Sequence, residues 1–492
     1  MLWVSDAWKE NQKRLLTDRV GLCIKVYTKS VHEYIARIAD FADTSHETPV
    51  ISAGNILGMT YTASFDELSL ESPRLEVQLR LSNTDGVNNE LWNKLMEYAG
   101  QEAECSWDIY AVYGTAVLSP EYVLLASLVM SQKALSSDEN VITITLVPEF
   151  AFKWDTMFIP EARDFSSPGG TFQYDIYDVI GKLNQELDSN ISIGGLTSRI
   201  LMLGMPFKQQ KAGDALQLIA NAFGLSVVYR LYQPSGADAY SITAPRIIDP
   251  LMQGNAPQDY FLGSRVLYEY PYVKTPEKVN TIIETPSYAP YKAGSSEHLG
   301  TSFNLACPYL SNNESAWIDY PKVLVEDLYY RFGFQEEESQ DIPIDIIKSG
   351  VAGCLIKNTG GAALASGYIL YVEGYFSDTF YRSYQIYSAA DNGRNQTIRN
   401  ELGMNVTEFM RSFNQIQGKD IYEVSFRADP RLECGDFVIL TTKRKKVIAK
   451  VLKLTYEYDG AWKGSATLRH IDDVAPLQLI ADDTLFLTDA LT

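Results

Sequence analysis

The sequence predicts a mainly β, multi-domain protein with a minor α+β subdomain, and three observations support this fold class. The stretch from Leu75 to Leu81 alternates leucine or valine with polar residues, the period that buries one face of a strand. Tyrosine, which is favoured on half-buried sheet surfaces, occurs 31 times. Between Phe172 and Ala244 apolar residues instead recur at helical spacing. A chain of 492 residues is long enough for about three or four domains.

Changes in composition and in the spacing of apolar residues along the chain predict four domains. They are residues 1–155, an N-terminal β-rich domain; 156–248, an α+β subdomain; 249–405, a Tyr-rich β domain and candidate insertion; and 406–492, a C-terminal β module.

The first domain is predicted to begin with a short helix within Asp6 to Arg19 that leads into a strand from Val20 to Tyr27. After the strand that ends near Leu81, the turn Asn83–Gly86 precedes a helix from Asn88 to Tyr98, which Gly100 would stop. Three further strands are predicted, at Glu104 to Val112, Tyr122 to Val129 and Val141 to Val147.

The second domain is predicted to run helix, strand, helix, strand, strand. Apolar residues from Ile176 to Leu187 lie on one face of the first helix. The second helix covers Ala212 to Phe223, and Gly224 is placed for a left-handed cap. The strands are predicted within Ser192 to Met205, at Leu225 to Leu231 and at Tyr240 to Thr243.

The third domain is rich in Tyr, Pro and Gly and is predicted to be a looser β structure. Its short strands are expected at Val279 to Ile283, Cys354 to Lys357 and Tyr368 to Glu373. The acidic cluster Glu336–Glu338 is expected in a solvated loop, because no convergent ligands for a cation lie near it in sequence.

The fourth domain is predicted to open with a tight turn. Asp429 and Pro430 begin it, since proline fixes φ, and Gly435 and Asp436 end it, since glycine permits positive φ. A strand from Phe437 to Leu440 would follow.

A long closing hairpin has Asp459 and Gly460 at its tip, and its two apolar faces constrain its register. One face carries Leu452, Leu454, Tyr456 and Tyr458, and the other carries Trp462, Gly464, Ala466 and Leu468. A two-residue loop would set Tyr456 opposite Lys463, which places apolar beside polar side chains. A three-residue loop, Tyr458–Gly460, sets Tyr456 opposite Trp462 and Leu454 opposite Gly464, with Gly460 at the bulge position. The sequence therefore predicts the second register.

No catalytic constellation is recognisable. The four histidines, His32, His46, His298 and His470, form no metal or nucleophile pattern, and His470 is expected to be structural. No nucleophile elbow, Walker A loop or dinucleotide fingerprint occurs. We therefore predict no enzymatic activity, no catalytic residue, no cofactor and no metal. A pair of carboxylates that converges only in the fold would leave a cell-wall hydrolase as an alternative.

The five cysteines, Cys23, Cys105, Cys307, Cys354 and Cys434, are odd in number and widely spaced. This pattern argues against a disulfide framework or zinc site and predicts mostly buried thiols. The N-terminus lacks the features of a secretory signal, and no apolar run approaches the roughly 18 residues of a membrane span.

The net charge of −20 makes sequence-specific or nonspecific nucleic-acid binding by the whole molecule unexpected. The basic run Lys443–Lys446 stands out against this background. It is interpreted as a solvated hairpin tip.

Three stretches together resemble the baseplate hub and tail-associated proteins at the tip of long bacteriophage tails. They are Ile51–Gly58 with Leu79–Gly86, then Ala215–Gly224, then Asp429–Asp436 with the closing hairpin. They touch about two thirds of the chain, and their order, more than any single motif, carries the resemblance.

The resemblance implies a structural virion protein that is made in the host bacterial cytoplasm and acts in host attachment and DNA ejection. It implies a homotrimeric hub whose β domains are arranged with pseudo-sixfold symmetry. Its partners would be the tube or distal tail ring on one side, and a spike, fibres or receptor-binding proteins on the other. A lumen for the tape measure and DNA would pass through it, and the negative net charge agrees with an acidic, non-sticky wall.

Two departures from the family are expected: no lysozyme-like or peptidase domain after His470, and no counterpart for residues 249–405. A receptor- or carbohydrate-binding β protein of the tail is the alternative interpretation, since Tyr and Trp provide stacking platforms.

Overall fold

The structure is a computed structural model. It describes residues 5–13, 20–29, 32–40, 51–53, 56–83, 91, 93, 105–114, 120–135, 140–158, 166–167, 171–194, 196, 201–203, 210–232, 240–251, 261–262, 266–277, 279–288, 301–334, 337–338, 342–350, 352–364, 367–377, 379–386, 395–400, 405–428 and 430–474.

Helices are few among these residues. They are α1 Asp6–Lys13, α2 Phe150–Lys153, α3 Ile176–Leu187, α4 Ala212–Ala222 and α5 Val406–Ile416.

Strands dominate, as the sequence predicts. In the first half of the chain they are β1 Val20–Thr28, β2 Tyr34–Ala39, β3 Ile51–Ala53, β4 Ile56–Ser64, β5 Arg74–Ser82, β6 Cys105–Tyr113, β7 Glu121–Leu135, β8 Val141–Val147, β9 Met157–Phe158, β10 Ser166–Ser167, β11 Thr171–Asp175, β12 Ser192–Gly194, β13 Leu201–Leu203, β14 Gln210–Lys211, β15 Ser226–Tyr232 and β16 Ile242–Ile248. In the second half they are β17 Phe261–Leu262, β18 Tyr272–Lys274, β19 Asn280–Tyr288, β20 Thr301–Ala306, β21 Ser315–Asp319, β22 Val323–Phe334, β23 Glu337–Glu338, β24 Ile344–Ser349, β25 Gly353–Asn358, β26 Tyr368–Ser377, β27 Thr379–Ile386, β28 Asn395–Arg399, β29 Ile421–Arg427, β30 Phe437–Thr441, β31 Lys446–Tyr458 and β32 Trp462–Asp473. The predicted mainly β fold class is confirmed.

The largest sheet joins the two ends of the chain. Its fourteen strands run in the order β18-β29-β32-β31-β4-β5-β8-β7-β6-β1-β2-β3, with β30 beside β31 and β17 beside β30. The junction is the antiparallel pairing of β31 with β4, in which Tyr456 lies opposite Tyr61. A single sheet therefore contains strands from the first predicted domain and from the last.

The α+β subdomain forms from local periodicity. Five apolar residues of α3 are buried, and Asp175 caps the helix by accepting from the Tyr177 backbone N–H at 2.9 Å. Helix α4 ends before Gly224, whose φ of +63° a residue with a Cβ rarely adopts. The sheet β12-β16-β15 completes this unit, in the predicted order of elements.

The Tyr-rich region contains three small sheets, with the orders β27-β19-β28, β20-β26-β22-β23 and β21-β25-β24. Strands β17 and β18 also fall between residues 249 and 405, but they pair with β30 and β29 of the closing module. Glu337 and Glu338 form β23 beside Gly333 and Phe334, so the expectation of a loop there was wrong for these two residues. A two-residue strand suffices because the long partner β22 provides the template.

The closing hairpin has the predicted faces but not the predicted pairing. Tyr456 lies opposite Gly464, Leu454 opposite Ala466 and Tyr458 opposite Trp462. The loop is therefore Asp459–Ala461, shifted by one residue from the predicted loop. Tyr458 is only 2% exposed, because it pairs with Met59 of β4 and packs on Trp462 with ring centroids 5.1 Å apart. The predicted loop would have taken that buried ring out of the sheet.

Most of the turn Asn83–Gly86 and nearly all of the helix predicted from Asn88 to Tyr98 lie outside the described residues, as does Asp429. The five cysteines are all buried, which confirms their predicted burial.

Candidate functional site

One face of the large sheet is a continuous polar surface and is the first candidate functional site. In β31 and β32, buried Leu454, Tyr456 and Ala466 alternate with solvent-facing Thr455 and Ser465. Residues that lie opposite each other in neighbouring antiparallel strands point to the same face of the sheet. Polar side chains therefore line up in rows across β29, β32, β31, β4 and β5.

Three such rows cross the junction between the two ends of the chain, and none of their side chains is buried. They are Tyr272, Glu423, Thr467, Lys453, Ser64 and Arg74; Ser425, Ser465, Thr455, Thr62 and Glu76; and Arg427, Lys463, Glu457, Thr60, Gln78 and Thr145.

The rows are rich in serine and threonine hydroxyls and nearly balanced in charge. Eight of the seventeen residues are Ser or Thr, four are basic and three are acidic. The excess of acidic residues in the whole chain is therefore not located on this face.

The opposite face of the same strands is packed. Gly464 is required there, because a Cβ at this position would lie 2.7 Å from the Phe426 ring. The indole Nε1 of Trp462 donates to the Gly21 carbonyl oxygen at 3.3 Å, which ties the closing hairpin to β1. The polar face is thus backed by a core that contains strands from both ends of the chain.

The sheet ends in two short strands. At one end, all three residues of β18 are exposed, with Tyr272 at 66% and Val273 at 45%. Tyr268 and Tyr270 precede them and are also exposed, and the Lys443 Nζ lies 5.5 Å from the Tyr270 ring centroid. At the other end, β3 pairs in parallel with β2. An exposed apolar edge strand is a surface on which another chain can pair.

The loop Asp66–Leu70, whose central residues Glu67, Leu68 and Ser69 are buried, joins the sheet to the α+β subdomain. Asp66 Oδ1 accepts from the Leu68 and Leu70 backbone N–H groups at 2.8 and 3.0 Å. Ser69 Oγ donates to the Leu225 carbonyl and accepts from the Val227 N–H, each at 3.1 Å. These hydrogen bonds between Ser69 and the backbone of the subdomain are one of the attachments of the subdomain to the sheet.

Buried charges reinforce this junction. The Arg230 guanidinium of β15 donates to Glu433 Oε2 at 2.5 Å and to Asp436 Oδ1 at 2.9 Å, both in the entry turn of the closing module. Burial raises the pKa of Asp436, but attraction from positive charge, chiefly Arg230, holds it below its ordinary value. Arg469 of β32 forms a second buried pair with Glu67, its Nη2 lying 2.7 Å from Oε1.

Lys450 is the third buried cation of the junction. Its Nζ donates to the Pro250 carbonyl oxygen at 2.7 Å and lies 5.3 Å from the Phe437 ring centroid and 5.8 Å from that of Phe65. Burial lowers the pKa of Lys450 to about 8.

The turn residues predicted from the sequence lie in the turn that opens the closing module and in the loop of the closing hairpin. Pro430 is buried, Gly435 has a φ of +83°, and Asp436 accepts from Arg230 at the end of the entry turn. Asp459 and Gly460 lie in the exposed hairpin loop, where Gly460 has a φ of +102° and Asp459 pairs with Lys463 at 2.6 Å.

Sequence reasoning missed Arg230, Glu67, Arg469 and Lys450. Lys450 carries no reliable signal, because a bulge between Val451 and Lys453 breaks the alternation and sets Lys450 opposite Arg469. Arg230 and Glu67 carry none, since their partners are 203 and 402 residues away along the chain.

Chemistry-bearing clusters are few among the described residues. His470 Nδ1 lies 3.2 Å from the hydroxyl of the buried Tyr422. The part of the chain that the structure describes contains no group of three His, Cys, Asp or Glu side chains placed to hold a metal. Within the same residues, no helix has the length and hydropathy to cross a membrane.

The fold and the site thus define a mainly β protein in which a shared sheet presents one polar face and a buried ionic junction holds three segments together. No protein-family model and no curated protein matches the chain.

Several solved structures resemble it over most of its length. The 43 kDa tail protein of prophage MuSo2 from Shewanella oneidensis has 8% identity and a TM-score of 0.42, over 91% of this chain and 98% of that one. Prophage tail protein gp18 from Listeria monocytogenes has 10% identity and a TM-score of 0.39, over 94% and 99%. An E. coli type VI secretion component, described as similar to the T4 tail proteins gp27 and gp5, has 8% identity and a TM-score of 0.38, over 86% and 74%.

Proposed function

We propose that this chain is a structural component of a bacteriophage tail, the hub that connects the tail tube to the tip and to receptor-binding or spike proteins during infection. One observation carries the proposal: the first and last β modules of the chain join in a single sheet through β4 and β31. A chain with two adjacent modules can supply two of the six positions of a tube-like ring, so that three copies complete it.

The homotrimer closes through the edges of the sheet. Strand β18 at one end and β3 at the other differ from each other, so contact between them is heterologous and repeats around a closed ring. The exposed Tyr272 and Val273 of β18 would be covered by the next copy.

The polar face lines the lumen of this ring. Its hydroxyls and balanced charges offer a passing polyanion neither a dense array of cations to bind nor a strongly repelling wall. Such a surface suits movement of the tape measure and DNA, and the chain acts in DNA ejection without catalysing a reaction.

The oligomeric state tests this proposal. Light scattering should give three times the chain mass of 55.2 kDa, and negative-stain images should show a threefold ring. The double substitution Tyr272→Lys, Val273→Lys should give monomers, because lysines oppose strand pairing at an edge. Tyr309→Lys, at an equally exposed tyrosine of the Tyr-rich region, should leave the trimer intact.

A wild-type chain that stays monomeric at all concentrations would overturn the hub proposal. A trimer that is insensitive to the β18 substitutions would overturn the edge contact while leaving the hub.

A further inference from the structure

We propose that a cleft between β6, β7 and the α+β subdomain binds one ring of a neutral saccharide. The cleft is a cavity of about 270 Å³, and its lining includes Ser106, Ser127, Tyr240 and Thr243. It involves none of the seventeen residues of the polar face and does not depend on the trimer.

One wall of the cleft is aromatic. The His32 ring is stacked on Tyr27, with centroids 4.2 Å apart, and on its other side it is stacked on Tyr240. Tyr240 is 45% exposed. A stack that ends in a half-exposed tyrosine offers a flat, amphipathic surface to the C–H face of a pyranose, while its hydroxyl remains available to the ring oxygens.

Ordered hydroxyls also line the cleft. Ser106 Oγ lies 2.9 Å from Ser127 Oγ and donates to Asp108 Oδ1 at 3.2 Å. Thr243 Oγ1 accepts from the Ser127 backbone N–H at 2.9 Å, which fixes β16 of the subdomain against β7. Burial raises the pKa of Asp108, although its hydroxyl partners oppose this effect. Hydroxyls that both donate and accept match the hydroxyl groups of a sugar.

The rim of the cleft is charged but locally neutral. Glu149 Oε1 lies 3.2 Å from Lys29 Nζ and 3.9 Å from Lys153 Nζ, and Lys153 also donates to the Asp188 carbonyl oxygen. With Asp188, the rim has two positive and two negative side chains. A phosphate or carboxylate ligand would meet an existing ion pair at each cation, whereas a neutral polyol gains charge-assisted hydrogen bonds without disturbing them.

The volume of the cavity limits the size of the ligand. Pockets for drug-sized molecules span about 300–1,000 Å³, so a cavity of about 270 Å³ accommodates a single sugar ring. Any further rings of an oligosaccharide would extend into solvent.

Saturation-transfer NMR on the full chain tests the site with individual monosaccharides as probes: glucose, galactose, mannose, rhamnose and N-acetylglucosamine. We expect transfer to at least one of them. Tyr240→Ala should weaken its binding by about tenfold or more, since an aromatic contact and its buried area are lost. Tyr309→Ala, remote from the cleft, should have no effect.

Glu149→Gln provides a second test, because it keeps the shape of the rim but leaves two lysines unpaired. Sugar binding should fall and binding of inorganic phosphate should rise. Absence of transfer to every probe, or unchanged binding by Tyr240→Ala, would overturn the proposal.

The monomeric β18 variant separates this inference from the hub. It should bind sugar as the wild type does, since one chain contains the whole cleft. Loss of sugar binding on dissociation of the ring would contradict the assignment.

Discussion

At the scale of single residues, Arg230 is the side chain on which the buried junction most depends. It neutralises both Glu433 and Asp436, and its side chain and theirs are 10–13% exposed. Arg230→Met leaves two buried carboxylates without their partner and should reduce the free energy of unfolding by about 3–5 kcal/mol. Urea denaturation measures this, and Lys211→Met, which removes an exposed and solvent-screened pair with Asp155, should have a much smaller effect.

The same substitution should change acid stability. Asp436 has a lowered pKa, so its contribution to stability is present above its ordinary pKa of 3.8 and is lost as pH falls through the lower, folded value. Arg230→Met removes the attraction that lowers this pKa, while burial still raises it, so the difference in stability between the wild type and the variant should shrink as pH falls below 3.8. A difference that stays constant or widens in acid would contradict this role of Arg230.

Lys450 gives a pH dependence of the opposite sense. Its pKa is about 8 in the folded chain and 10.5 ordinarily, so below pH 8 the folded state bears the full cost of burying the charge. As pH rises from 8 to 10.5, only the unfolded state keeps the proton, and the wild type should gain about 3 kcal/mol relative to Lys450→Met. Denaturation curves of both proteins across this range test the prediction. Lys443→Met, at the exposed hairpin tip, should show no such divergence.

At the scale of elements, the hairpin loop Asp459–Ala461 depends on one backbone conformation. Gly460 has a φ of +102°, and a Cβ added there would have no heavy atom within 4 Å, so Gly460→Ala tests backbone strain without a steric clash. We expect a loss of about 1–3 kcal/mol. Gly361 is equally open but has no positive φ, so Gly361→Ala should be neutral or slightly stabilising. Thermal unfolding of the two variants distinguishes backbone strain from steric crowding by the added methyl group. Equal melting temperatures would contradict backbone strain at Gly460.

The elements also show what the sequence could predict. Helices α3 and α4 follow from apolar spacing within a dozen residues, and both lie within one residue of their predicted bounds. The hairpin faces follow from alternation, but its register depends on Tyr458, whose burial is set by Met59 some 400 residues away in the chain. The pairing of β31 with β4, and of β18 with β29, joins strands far apart in the chain, so no pattern within either strand indicates its partner. The polar face and the junction, which both arise from such pairings, could not be derived from periodicity.

At the scale of the whole molecule, the segments that follow the Tyr-rich region pack against two earlier units of the chain. Strands β29 to β32 extend the sheet of the first domain, whereas α5 begins at the α+β subdomain, where the Asn405 N–H donates to the Ala222 carbonyl at 2.8 Å. A Cβ on Gly224 would lie 3.0 Å from Phe409 of α5. The chain therefore returns from the Tyr-rich region to both of its earlier units, and the buried charges lie where they meet.

A closed ring of three copies would also enclose the polar face. All five native cysteines are buried, so a cysteine introduced at Thr455 would be the main reactive thiol of the folded chain. In the proposed trimer, Thr455→Cys should react with a small maleimide but not with one attached to a protein-sized carrier, because a lumen lined by the polar face would exclude the carrier. In the monomeric β18 variant both reagents should react. Tyr309→Cys, on the outside, should react with both in either state. Rapid reaction of Thr455→Cys with the carrier in intact trimers would show that this face points outward, and the lumen would then have to be lined by another surface.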